Sequence, residues 1–196
     1  RSSVSPLVRL ILESGITPSD DWVHGVKWPV ESQEMLSQKV SEAIGFDFTS
    51  GRRDSSIHPF CGGPNPQDVR WTTRYDESEP FGSLFGSMHE TGHGTYEQGR
   101  PETLVYQPAG KACGLGVHES QSRLWENQIG RSLAFCEWVL PLWKDYFPGS
   151  LEDVTPEMLW KSVNKIQPSY IRTESDEATY NIHIMIRYEL EKMMIE

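Results

Sequence analysis

Phe81-Gly82-Ser83-Leu84-Phe85-Gly86-Ser87-Met88-His89-Glu90-Thr91-Gly92-His93-Gly94-Thr95-Tyr96-Glu97 is the stretch on which the reading of this chain turns. Pro80 precedes it and can open a helix as its first residue. On a helix, His89 and His93 are one turn apart and share a face, so both imidazoles can reach one ion. Glu90 lies beside the first of them, where its carboxylate can take the proton of a water held on that ion. Binding to zinc brings the pKa of water from about 15.7 to roughly 7, and the same ion polarises a scissile carbonyl. A chance coincidence of the two histidines is the competing explanation. The setting argues against it: Leu84, Phe85 and Met88 are apolar neighbours, whereas a solvated helix would surround histidines with charge. Gly92 and Gly94 each weaken a helix by up to about 1 kcal/mol relative to Ala, a cost that makes sense if something approaches the backbone closely.

A hydrolytic site of this kind needs a third protein ligand and one open position. Downstream of the histidines, Glu97, Glu102, His118, Glu119 and Glu126 are candidates. Glu97 sits one turn beyond His93 and has an awkward reach, and Glu102 follows Pro101 in a loop. Glu119 is favoured, because it falls in a predicted helix from Gly116 to Asn127 that can pack antiparallel against the first. His118 would then point about 100° away from Glu119, as a neighbour of the site rather than a ligand. A His, His, Glu set takes zinc and also accepts cobalt or manganese.

Outward from this segment, Pro and Gly divide the chain. The apolar run Leu7 to Leu12 predicts a short helix followed by irregular chain. Leu36, Val40, Ala43 and Ile44 recur at helical spacing and Gly45 follows, which predicts a helix over 32–44. Val69 to Tyr75 has the β-branched and aromatic content of a strand, in one hairpin or small sheet. Two or three helices cover 111–146, with a break near Gly130. Thr155-Pro156-Glu157 reads as a helix start. A last helix begins near Ser175-Asp176-Glu177 and runs to the C-terminus with Ile182, Met185, Ile186 and Leu190 inward. Trp125, Trp138, Trp143 and Trp160 read as core or interface, and His183 as structural. The fold class is mainly α with a small β element.

The 196 residues suffice for one domain or one piece of a larger one. With 28 acidic against 18 basic residues the net charge is −10, and the absence of a Lys/Arg cluster argues against nucleic acid as a partner. No apolar run reaches membrane-spanning length, and an acidic chain has little attraction to an anionic membrane surface. Cys61, Cys113 and Cys136 lack paired metal-ligand spacing, so buried free thiols in a reducing compartment are expected. The start Arg1-Ser2-Ser3-Val4 has neither an initiator Met nor a signal-peptide core; the chain is expected to begin inside a longer protein. The expected organisation is a single catalytic segment over 1–196, with an N-terminal region to 45 and a metal-binding core over 46–196.

Several segments together carry a resemblance. His58-Pro59-Phe60, Asp68-Val69-Arg70-Trp71-Thr72, His89-Glu90-Thr91-Gly92-His93 and His118-Glu119-Ser120-Gln121 occur in this order, followed by Ile171-Arg172-Thr173-Glu174-Ser175-Asp176. This chain closely resembles the carboxypeptidase Taq family of metallocarboxypeptidases from about Phe46 onward, with Ser175 where the family's later motif has Ala. The resemblance implies a helical zincin-type core, here a fragment of a larger helical fold, in a dimeric cytoplasmic enzyme. It implies a deep groove from which C-terminal residues of peptides are removed with broad preference. It implies His89, His93 and Glu119 as metal ligands and Glu90 as catalytic acid/base.

A carboxypeptidase must also hold a free α-carboxylate, which a planar, permanently charged Arg does bidentately. Arg172 is the first candidate and Arg70 the second; pairing with a nearby acid, Asp176 or Asp68, is the alternative for each. His58 is a candidate for substrate orientation, while Asp68 and His118 are candidates for holding a ligand histidine or an Arg from behind. Two other functions compete: a zinc endopeptidase or oligopeptidase, because the metal motif does not fix where a substrate is cut, and a metal-binding module without a competent groove.

Overall fold

The computed structural model describes residues 4–196, so the Arg1-Ser2-Ser3 start lies outside the described residues. Seven helices are present among these residues: α1 (Val4–Glu13), α2 (Val30–Ile44), α3 (Phe81–Gln98), α4 (Leu115–Arg123), α5 (Leu133–Tyr146), α6 (Pro156–Val163) and α7 (Glu177–Ile195). Three strands, β1 (Gly51–Ser55), β2 (Phe60–Asn65) and β3 (Asp68–Thr73), form one sheet in the order β1-β3-β2. The protein is mainly helical with a minor sheet, as the sequence predicts.

The helix predicted over 32–44 begins two residues earlier and stops at Gly45, which adopts φ 107° and closes the end with its N–H on Ser41 and Glu42 carbonyls. Only a residue without Cβ takes that left-handed conformation cheaply. At α6, Thr155 caps as expected, its hydroxyl accepting from the Met158 N–H at 3.3 Å with Pro156 next in line. Pro80 is placed differently from the expectation. It sits just outside α3, and the free N–H groups of Phe81 and Gly82 are instead satisfied by the Glu79 carboxylate at 2.8 and 2.7 Å.

α3 is buried along most of its circumference, with α2, α4 and the sheet packed on it. Two clusters grip it. The larger gathers Leu84, Phe85 and Met88 with Leu36 and Val40 of α2, Val139, Leu140 and Trp143 of α5, and Leu159 of α6. At its end, Trp22, Trp28, Phe81, Trp143 and Phe147 pack ring on ring; the Trp28–Phe147 centroids are 5.2 Å apart and the Trp22–Phe81 centroids 5.7 Å, both edge to face. Each such pair contributes about 0.5–1.5 kcal/mol beyond its buried area. The smaller cluster, Phe46, Val69 and Trp71, lies between the sheet and the far half of α3. Polar ties fix the same helix: Ser83 donates to Gln33, and the Ser41 and Thr91 hydroxyls meet at 2.8 Å in a fully buried contact.

The predicted strand is β3, the central strand. β1 runs parallel to it and β2 antiparallel, with Cys61 opposite Trp71 and Gly62 opposite Arg70. Val69 and Trp71 face α3 and are fully buried, so Arg70, between them, faces the opposite side of the sheet.

Three expectations need correction. Met185, Ile186 and Leu190 are exposed on α7 instead of inward; the helix is touched by α1, by the turn at Arg172–Glu174 and, at Tyr180, by Arg123 of α4, and these contacts leave that face uncovered. Of the tryptophans read as core or interface, Trp143 is core, whereas Trp138 and Trp160 are not core, being more than a third exposed on the outer sides of α5 and α6. Of the three free thiols, Cys136 is buried, Cys61 is partly covered and Cys113 is exposed in the loop before α4. No helix among the described residues is long and apolar enough to cross a membrane.

Candidate metal centre

His89 and His93 project from adjacent turns of α3, with ring centroids 4.9 Å apart. Opposite them α4 lies unusually close, because Gly92 faces it. A Cβ there would sit 2.7 Å from both the Gln121 carbonyl oxygen and the Ser122 Cα. The close approach suggested by a glycine in this helix is therefore the approach of α4 itself. Gly94 does the same for the other cluster, where a Cβ would meet the Phe46 ring at 2.7 Å. The helix contact delivers Glu119: its Oε2 lies 3.2 Å from His93 Nε2 and 3.8 Å from His89 Nε2. Candidate ligand atoms from His89, His93 and Glu119 all fall within 4.8 Å of one another.

The outer nitrogens of both rings are occupied. His89 Nδ1 is 2.7 Å from Glu126 Oε2, and since a carboxylate only accepts, that nitrogen carries the proton and Nε2 presents a lone pair. His93 Nδ1 is 2.6 Å from His118 Nδ1, and His118 Nε2 is 2.7 Å from Glu97 Oε1. By the same logic His118 donates to Glu97, its Nδ1 accepts from His93, and His93 Nε2 also presents a lone pair. Glu97 is further paired with Arg100, and Glu126 accepts from Arg123 Nη1 at 2.8 Å.

With both rings neutral, two imidazole lone pairs and a carboxylate oxygen thus face one another, an arrangement that takes up either a proton on a ring or a cation between the three groups. Tetrahedral zinc with bonds of about 2.0–2.2 Å places its ligand atoms about 3.3–3.6 Å apart, near the 3.2 and 3.8 Å that separate the Glu119 carboxylate from the two rings. The donor set fits a divalent ion held by His89, His93 and Glu119.

Glu90 is 6% exposed and sits beside both histidines. Burial pushes its carboxyl above the usual carboxylate range, against the pull of His89 and His93. Glu119 is lowered, chiefly by its contact with His93. For His89, burial works downward, but the hydrogen bond and charge of Glu126, helped by Glu90 and Glu119, carry it above the ordinary imidazole value. Burial likewise opposes ionisation of Glu126, and its bond to His89 and the charge of Arg123 outweigh it.

Other sequence candidates lie elsewhere. Arg70 is held bidentately by Asp68 at 2.8 Å on the solvent side of the sheet, away from α3. His58 is exposed in the β1–β2 loop, where its backbone carbonyl accepts from Ser56. Arg172 does not touch the ligands but stacks on Tyr180 and donates to its hydroxyl. Asp176, its suggested acidic partner, instead caps α7, accepting from the Ala178 and Thr179 N–H groups.

Glu126, weighed at first only as a third ligand, occupies a role the sequence reading did not give it. It lies on a π-helical turn, Leu124–Ile129, that continues α4, and the wide turn is closed by Gly130 N–H on the Trp125 carbonyl at 2.9 Å. Such turns are rare and concentrate at functional sites. The seven-residue spacing from Glu119, two helical turns, was the available signal.

A carboxypeptidase Taq (M32) metallopeptidase family model matches residues 1–196. The chain belongs to this family. Thermostable carboxypeptidase 1 of Thermus thermophilus is 45% identical over 191 residues, covering 97% of this chain and 37% of that protein. Carboxypeptidase 1 of Bacillus subtilis is 38% identical over 98% of this chain and 38% of its own length. The crystal structure of an M32 carboxypeptidase from Deinococcus radiodurans superposes with a TM-score of 0.93 at 40% identity, over 98% of this chain and 38% of that one. The chain therefore spans somewhat more than a third of the length of these relatives. Membership in a metallopeptidase family implies a divalent metal, consistent with the His, His, Glu group.

Proposed function

We propose that this chain is the catalytic segment of a metal-dependent carboxypeptidase that removes C-terminal residues from peptides. One observation carries the reading: three donors converge on one point with the buried carboxylate of Glu90 beside them. Family membership and relatives named carboxypeptidases support the substrate class.

When bound, the divalent ion supplies Lewis acidity, polarising the scissile carbonyl and making a water acidic enough to be deprotonated near neutral pH. His89 and His93 would hold the ion through Nε2, and Glu119 would add the one anionic ligand. The Glu90 carboxylate accepts the proton of the attacking water and passes it to the departing amine nitrogen. Its elevated pKa suits both acts, since a base must release in the second step the proton it gathers in the first. Exclusion of water around Glu90 strengthens its interaction with the histidines. Arg172 is the candidate for the peptide's terminal carboxylate. Zinc is the proposed ion, and the family resemblance supports a broad preference for the residue removed and a cytoplasmic homodimer.

Glu90→Gln tests the chemistry. The variant should keep its metal, because the ligands are untouched, and lose at least about three orders of magnitude in kcat, a loss in the range general acid–base catalysis contributes. Near-normal turnover would remove Glu90 from this role. Matched peptides with free and amidated C-termini test the substrate class: a carboxypeptidase cleaves only the free form, whereas equal cleavage of both would identify an endopeptidase.

A further inference from the structure

Behind His89 a run of contacts leads away from the metal centre, through Arg123 and Tyr180, which the sequence did not single out, to Arg172, which it did. Glu126 holds His89 Nδ1 at 2.7 Å, and Arg123 Nη1 holds Glu126 at 2.8 Å. The Arg123 guanidinium lies 4.0 Å from the centroid of the Tyr180 ring. The Arg172 guanidinium lies 5.2 Å from the same centroid and donates to the Tyr180 hydroxyl. One aromatic side chain thus contacts two arginines, one serving the metal ligand and the other the candidate for the substrate carboxylate.

The local sequence explains how Tyr180 comes to be there. Asp176 caps α7 with one oxygen on the Ala178 and Thr179 N–H groups and the other on the Thr179 hydroxyl at 2.6 Å, fixing the first turn of the helix. Ser175 N–H closes a tight turn on the Arg172 carbonyl at 3.1 Å, folding Arg172 back toward the helix that carries Tyr180. Ser175 Oγ donates to the Ile171 carbonyl at 2.9 Å, securing the same turn. Two guanidinium groups repel, and a ring whose face is electron-rich can hold both in place. Glu126 balances one of these charges. Nothing among the described contacts balances the charge of Arg172, which leaves it suited to an incoming carboxylate.

We propose that Tyr180 is a positioning residue that links the two ends of the site: its ring supports Arg123, hence the Glu126–His89 pair, and its hydroxyl aims Arg172. The substrate half rests on the carboxypeptidase reading above, and the metal half stands apart from it.

Two variants separate the functions. Tyr180→Phe keeps the ring and removes the hydroxyl; Tyr180→Leu removes both. Zinc affinity is measured by competition with a chromophoric chelator. Binding of a dipeptide with a free C-terminus is measured by calorimetry on the zinc-loaded Glu90→Gln background, where no turnover occurs. Tyr180→Phe should leave the zinc Kd within about two-fold and raise the dipeptide Kd about ten-fold, as expected for losing a hydrogen bond to a charged group. Tyr180→Leu should in addition raise the zinc Kd about ten-fold, the lower end of the effect of disturbing support behind a ligand.

A cycle adds the readout that simple loosening of α7 would not produce: in an Arg172→Met background, Tyr180→Phe should cause no further loss of dipeptide affinity. An additive loss would overturn the substrate half. An unchanged zinc Kd in a folded Tyr180→Leu protein, or an equal loss in Tyr180→Phe, would overturn the metal half. Failure of the unmodified protein to bind or cleave free peptides would overturn the carboxypeptidase reading and with it the substrate half, while the zinc measurement would still decide whether Tyr180 supports His89.

Discussion

Gly92→Ala should weaken the protein where helix propensity alone says it should strengthen it. Alanine in a helix interior is favoured over glycine by about 0.8–1 kcal/mol. At this position, however, the new Cβ would lie 2.7 Å from the Gln121 carbonyl oxygen and the Ser122 Cα. Both are backbone atoms of α4, so no side chain can rotate aside. Reaching an ordinary contact near 3.4 Å requires α3 and α4 to part by 3.4 − 2.7 = 0.7 Å.

Overpacking of this kind costs about 1–3 kcal/mol, which exceeds or cancels the propensity gain. The larger consequence is functional. Glu119 lies within three residues of the contact and moves with α4, while His89 and His93 stay on α3. Metal–ligand distances hold to about 0.2 Å, so a 0.7 Å displacement is several times what the site can absorb. Zinc affinity should fall at least about ten-fold, the scale seen when the support of a ligand is disturbed. Competitive zinc titration and thermal unfolding of the metal-free protein read the two effects separately. Gly116→Ala is the control: it lies on the same α4 with nothing within 4 Å of the added Cβ, so it should stabilise by up to about 1 kcal/mol without changing zinc affinity. If Gly92→Ala were more stable and bound zinc as tightly as the parent, the helix-approach argument would fail.

Removing the other supports should have graded effects. Glu126→Ala should weaken zinc binding about 10–100-fold by freeing the His89 ring, as seen in a chelator competition; unchanged affinity would show that the ring is held by other means. In the metal-free protein, an NMR titration should place the His89 midpoint above the ordinary imidazole value, because Glu126 favours the protonated ring, and Glu126→Gln should bring it down. A midpoint at or below the ordinary value would reverse the assigned direction. The linked stability follows in sign: the raised pKa contributes stability that is present at low pH and lost as pH rises through the folded-state value. In the metal-free protein the Glu90 carboxyl should titrate above the usual carboxylate range in the same NMR experiment, since burial outweighs the pull of His89 and His93 and holds it protonated to higher pH. A midpoint at the ordinary glutamate value would argue that Glu90 is more solvated than found here.

Much of this was legible because the decisive signals were local. Two histidines at helical spacing, Thr155-Pro156 at a helix start and Gly45 at a helix end each depend on a few adjacent residues, and the structure has all three elements. β1 and β2 were not legible: Gly51-Arg52-Arg53-Asp54-Ser55 and Phe60-Cys61-Gly62-Gly63-Pro64-Asn65 carry little strand propensity, and pairing with β3 on either side makes them strands. The facing of Arg70 was within reach of the sequence, since alternation places it opposite Trp71 once Trp71 is taken as inward. The apolar positions of α7 read as a core face by composition, yet burial depends on what packs against them. The meeting of Tyr180 with residues 8 and 57 positions away is a tertiary outcome with no local signature, and the π-turn that aims Glu126 left only the seven-residue spacing from Glu119 as its trace.

X-ray absorption at the zinc edge, on protein loaded with one equivalent of zinc, tests the central claim most directly. The account predicts two imidazole nitrogens and at least one carboxylate oxygen at about 2.0–2.2 Å, with one oxygen contribution lost in Glu119→Ala. A sulfur scatterer near 2.3 Å, a single imidazole, or an unchanged shell in Glu119→Ala would contradict it.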